Sequence, residues 1–69
     1  MNESKEIRLL LGFTQEEMAK VCNTSIGTVT KWEQDQRQPR GQAVRLLEIL
    51  VLLKTDHPGI FKKVTTKYL

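Results

Sequence analysis

Few side chains in this sequence could make or break a covalent bond. It holds one cysteine, Cys22, and one histidine, His57. A lone thiol permits no internal disulfide, and one thiol with one imidazole falls short of the usual Cys/His zinc set. No Ser/His/Asp arrangement stands at workable spacing, and His57 lies beside Pro58 in what reads as a helix break. No enzyme activity, metal or other cofactor is expected. The chemistry left is that of hydrogen-bond donors and charge. Gln34, Gln36, Arg37, Gln38, Arg40 and Gln42 form a run with many donors and few carboxylates, the composition of a strip that faces phosphate. Just upstream, Thr28 and Lys31 share an outward helical face. A threonine hydroxyl there reaches a base edge or a phosphate, and a lysine donates to guanine acceptors or to phosphate.

The charge balance agrees with such partners. The 69 residues carry 11 Lys and Arg against 8 Asp and Glu, a net charge of +3. Residues 1–24 are net −1, with Lys5, Arg8 and Lys20 outnumbered by Glu3, Glu6, Glu16 and Glu17. Residues 25–45 and 46–69 are each +2. A modest basic excess suits nucleic acid or an acidic protein. At this length the chain is one domain near the lower limit of independent folding. The longest apolar run, Ile49 to Leu53, is far short of the ~20 residues of a membrane-spanning helix. No signal peptide or membrane association is read, and an unpartnered thiol suits a reducing cytoplasm.

Helices must position these groups. Asn2 or Ser4 caps a first helix with Ile7, Leu10 and Leu11 on one face, and Gly12 stops it. Phe13 turns inward. Thr14-Gln15-Glu16-Glu17 is a capping box that opens a second helix carrying Met18, Ala19 and Cys22. Asn23, tolerant of the left-handed region, ends it. Ser25 caps the third helix, which turns Val29 and Trp32 inward. Trp32 is read as a core anchor joining helices two, three and four. Pro39 forbids continuation of the third helix.

A fourth helix is expected from about Arg40 to about Thr55. It is apolar over more of its circumference than one small core can cover. His57-Pro58-Gly59 breaks the chain, and Ile60, Phe61, Val64 and Tyr68 repeat at helical spacing after it. Residues 56–69 are therefore expected to form a dimerisation tail, with Ile49, Leu52, Leu53, Ile60, Phe61, Val64, Tyr68 and Leu69 meeting the same residues of a second copy. The remaining polar residues have structural readings: Arg37 pairs with Glu33 across the loop, and Cys22 is a small buried hydrophobe.

Two short helices joined by a tight turn, with a basic segment behind them, form a helix-turn-helix arrangement. Residues 7–40 resemble the Xre/lambda-repressor-Cro family, carried here by Thr14-Gln15-Glu16-Glu17, Ala19, Asn23, Ser25, Trp32-Glu33, Arg37 and Pro39. Asn23 and Asp35 stand where that family usually has glycine, and Gly27 stands where many relatives carry a base-reading side chain. The resemblance implies an all-α, five-helix, lambda-repressor-like domain over residues 1–69, with a recognition helix at about 25–34.

It further implies a sequence-specific regulator of double-stranded DNA, a dimeric repressor or autorepressor reading an inverted-repeat operator through the major groove. Ile26, Gly27, Thr28 and Lys31 would face bases. Gln15, Thr24, Ser25, Thr30, Gln34, Gln36, Gln38 and Arg40 would face phosphates. Phage or plasmid repressors and restriction-modification controllers are the settings such a chain fits. The alternatives are a DNA-binding antitoxin with a toxin partner, against which the lack of a long toxin-wrapping arm counts, and a helical protein-interaction module.

Overall fold

The computed structural model describes residues 2–69, which form five α-helices and no strand. These are α1 (Glu3–Leu11), α2 (Gln15–Val21), α3 (Ile26–Glu33), α4 (Gln42–Asp56) and α5 (Pro58–Thr66). The expected order holds, with α4 displaced by one or two residues at its ends.

The first three helices are terminated in the same way. Gly12, Asn23 and Asp35 all adopt positive φ, at 79°, 53° and 58°. At each, the left-handed residue donates its amide to the carbonyl three residues back, and the next residue donates to the carbonyl five back: Phe13 to Arg8, Thr24 to Ala19, Gln36 to Lys31. These paired bonds satisfy carbonyls that a helix end leaves open. Glycine enters this region without a Cβ clash, whereas Asn and Asp enter it at some cost. At Asp35 a side-chain contact offsets that cost: Asn2 Nδ2 donates to Asp35 Oδ1 at 2.7 Å and to the Trp32 carbonyl at 2.9 Å. The Asn2 Oδ1 meanwhile accepts from the Lys5 amide at 2.9 Å. One side chain thus starts α1 and holds the end of α3.

The helix starts follow local chemistry too. The Thr14–Glu17 box is complete in both directions, at 2.9 and 3.1 Å. Ser25 Oγ accepts from the Thr28 amide at 3.1 Å. At α4 no side chain caps the helix, and Gly41 precedes it at φ 56°, ψ −121°, a backbone state for which glycine is suited. Pro58 does not delay the last helix: it occupies the first turn, where its missing N–H costs nothing and its φ is already helical.

α2 packs on α3, α1 on both α3 and α4, and α5 on α4. The core is Leu11, Phe13, Met18, Ala19, Val29, Trp32, Leu47, Leu50 and Phe61. Trp32 is buried as expected, but α3 packs chiefly on α1 and α2, so its anchoring is directed there and not towards α4.

Phe61 corrects the dimer expectation. It is buried, its ring centroid 5.7 Å from that of Phe13 with the Lys54 ammonium 5.1 Å from its centroid. Thr65, on the same side of α5, is buried as well. Two aromatic rings stacked across the core leave Phe61 unavailable to a second copy. Leu53 is likewise half-buried against the core. α5 is therefore part of the domain's own core as well as its surface. Ile49, Leu52, Ile60, Val64, Tyr68 and Leu69 stay exposed.

Candidate nucleic-acid interface

The outward face of α3 starts at its cap. Ser25 Oγ and Thr28 Oγ1 lie 3.0 Å apart and share one hydroxyl proton between them, so the pair keeps one proton to offer outward. Ile26 is 48% exposed, its side chain left to solvent and outside the core. Gly27 is also exposed, and a Cβ there would meet nothing closer than Ser25 Oγ at 3.7 Å. Packing within the domain does not require glycine at this position. Lys31 is exposed and has no ion-pair partner among the described residues.

Thr30 differs from expectation in its hydroxyl. Its Oγ1 donates to the Ile26 carbonyl at 2.9 Å, so the proton that a phosphate oxygen would accept is spent inside the helix. Thr24 is half-buried in the α2–α3 turn, beside a shallow recess bounded by Ala19, Lys20, Asn23 and Tyr68. Gln34, Gln36, Gln38 and Arg40 are all exposed, in the cap of α3 and the loop after it.

Behind this face sits a charged network that the sequence reading missed. Arg8 on α1 grips Glu33 at the end of α3 with two parallel bonds, Nε to Oε2 at 2.7 Å and Nη2 to Oε1 at 3.0 Å. The remaining Nη1 donates to the Phe13 carbonyl at 3.0 Å. Gln15, at the start of α2, donates from Nε2 to Glu33 Oε1 at 3.3 Å. Three helices thus meet at one carboxylate, and Arg8 ties the α1–α2 turn to the same network. Arg37, the expected partner of Glu33, is exposed and takes no part. The signal for Arg8 was absent from local spacing, since the two residues are 25 apart. Gln15 keeps its second amide proton, at the rim between α2 and α3.

The side chains of Arg8 and Glu33 are 13% and 6% exposed. The Arg8 guanidinium holds the Glu33 carboxyl below the usual carboxylate range, in spite of the burial that opposes it. A group whose folded pKa is lowered gives stability that is complete above its unfolded value, ~4.3 for Glu, and is lost as pH falls through the folded value. The thermal midpoint of the wild-type protein should therefore fall steadily below about pH 4.3. In Glu33→Gln that acid-side dependence should be shallower. Thermal melts of both proteins from neutral pH into acid measure the difference.

No group of residues suited to a metal ion occurs among the described residues. No described helix is long and apolar enough to cross a membrane. α2 and α3, joined by a turn closed at Asn23, with the outer face of α3 unobstructed, define a helix-turn-helix domain. A family model described as Helix-turn-helix matches residues 5–50, about two thirds of the chain. The chain belongs to this family, the Xre/lambda-repressor-like helix-turn-helix proteins, and is by that membership a DNA-binding regulator. The match takes in α1 to α3 and α4 as far as Leu50; α5 lies beyond it. No curated protein and no solved structure matches the chain.

Proposed function

We propose that this chain is a dimeric transcriptional repressor that reads an inverted-repeat operator in double-stranded DNA. The observation that carries the reading is the unobstructed outer face of α3, held from behind by the Arg8–Glu33–Gln15 network. Ile26, the Gly27 backbone, Thr28 and Lys31 face the major groove. Gln15, Thr24, Ser25, Gln34, Gln36, Gln38 and Arg40 face the backbone, fixing register without reading sequence. So few base contacts per domain call for two half-sites about one helical turn apart, each read by one protomer. Ile49, Leu52, Ile60, Val64 and Leu69 supply the apolar contact between protomers. A cytoplasmic setting and control of its own promoter complete the reading.

Selection of bound duplexes from a random pool, followed by footprinting, tests it. An inverted repeat with two protected half-sites is expected, and salt-insensitive or absent duplex binding would sink the proposal in favour of an acidic protein partner.

Two substitutions divide the roles on α3. Lys31→Ala should weaken operator binding by ~1–3 kcal/mol and relax preference at one position per half-site. Equal weakening on random DNA would reduce Lys31 to a phosphate contact. Gly27→Ala should stabilise the free domain by about 0.5–1 kcal/mol, because alanine favours the helix and has room there. The same methyl should lower operator affinity if the α3 backbone approaches the DNA closely. Thermal melting and titration on one operator separate the two effects, and unchanged affinity would refute the close approach.

A further inference from the structure

A groove of about 820 Å³ runs between α1 and α4 and ends at the loop after α3. Its apolar lining includes Ile7, Leu10, Val44, Val51 and Leu52, together with the core residue Leu47. Leu10 is 48% exposed and Leu52 57%, so the domain's own packing leaves the lining open. The charged residues that line it are Glu3, Asp35 and Glu48, with no lysine or arginine. On a chain of net charge +3, this is an acidic, apolar channel.

α5 carries the complement. Ile60, Lys63 and Val64, with Lys67 at the C-cap, follow the i, i+3, i+4, i+7 spacing of a single helical stripe, and all are exposed. Neither lysine has an ion-pair partner among the described residues. This stripe cannot reach the groove of its own chain, because Phe61 and Thr65 hold the other side of α5 in the core.

We propose that the α1–α4 groove of each protomer receives the α5 stripe of a second copy. The inference rests on the dimer reading above and specifies its contacts. Ile60 and Val64 cover the apolar lining, and Lys63 and Lys67 meet the carboxylates at its edge. The lengths agree: α5 has nine residues, about 14 Å, and the span from Val44 to Thr55 along the groove is about 16 Å at the helical rise. A two-fold axis between two copies would make the insertion reciprocal, each stripe in the other's groove, so that the assembly closes at two. Charge complementarity is what favours this occupant over an uncharged apolar segment. A basic amphipathic helix of another protein is the competing occupant.

Charge exchange on the full chain tests it. Glu48 and Lys63 are exposed, so Glu48→Lys and Lys63→Glu should fold like wild type by circular dichroism. Each alone should weaken self-association by at least about tenfold, because like charges then face each other at both symmetric contacts. An equimolar mixture of the two variants should recover wild-type association. In the mixed dimer the groove of the Glu48→Lys chain meets α5 of the Lys63→Glu chain, so opposite charges face each other again. The other contact in that dimer is entirely wild type. Sedimentation equilibrium across micromolar concentrations reads all three cases.

Single variants that associate like wild type, with Ile49→Asp disrupting the dimer, would overturn the groove assignment and leave the dimer reading standing. A wild-type chain that stays monomeric alone and on a two-half-site operator would overturn both. In that case the groove is left to a different protein.

Discussion

Trp32→Ala should leave too little folded protein to bind DNA at all. The indole is 5% exposed on a helix of only eight residues that packs on α1 and α2. Truncating a core aromatic to alanine costs ~3–5 kcal/mol, and total domain stability starts at about 5 kcal/mol. Its carbonyl also accepts from Asn2, so disorder at the end of α3 would release the start of α1. Loss of the cooperative thermal transition, alongside loss of helicity at ambient temperature, is the expected result. A variant that melts like wild type but no longer binds operator would place Trp32 in the DNA interface instead.

The second large effect belongs to Arg8. In Arg8→Ala the Glu33 carboxylate keeps only Gln15, and the Phe13 carbonyl loses its donor. Removing one partner of a nearly buried pair costs about 3 kcal/mol or more, since the remaining charge is stranded. The stranded carboxyl would then titrate at a higher pH than in the wild type. Replacing both residues, Arg8→Met with Glu33→Leu, removes the stranded charge and should recover much of the stability. Urea unfolding of the single and double variants decides this. Equal destabilisation in both would show that the pair acts through packing and not through charge.

These two residues also mark how far sequence alone reaches. Trp32 was legible because it repeats with Val29 at a helical interval, and Ser25, Asn23 and the Thr14–Glu17 box are local devices acting over a few residues. Glu33 was visible as well, but its partner was not. Arg37 stands four residues on, across a loop short enough to suggest a pair. The chain leaves the helix after Glu33 and passes through positive φ at Asp35, Arg37 stays exposed, and the carboxylate is taken by Arg8, 25 residues back. Phe61 fails for a related reason. Ile60, Phe61 and Val64 are all apolar at helical spacing, and only the position of Phe13 decides which of them turns inward. The DNA-facing residues of α3 could be named from their outward register, whereas the spent proton of Thr30 depends on a rotamer.

Cys22 gives the molecule an internal clock. The residue stands at the C-cap of α2, where its backbone amide donates to the Met18 carbonyl at 2.9 Å, and its thiol packs half-buried against the core and is pushed above its usual pKa by that burial. Only the thiolate reacts with alkylating reagents. The closed domain therefore keeps its single thiol partly covered and disfavours its thiolate, and excursions that open the α2 end speed its modification. When such excursions reclose faster than the reagent attacks, they add to the rate the opening equilibrium multiplied by the rate for a free thiol. The turn that sets the angle between α2 and α3 is the element whose opening this rate records. A chain clamped on its operator should be modified more slowly than the same chain in solution.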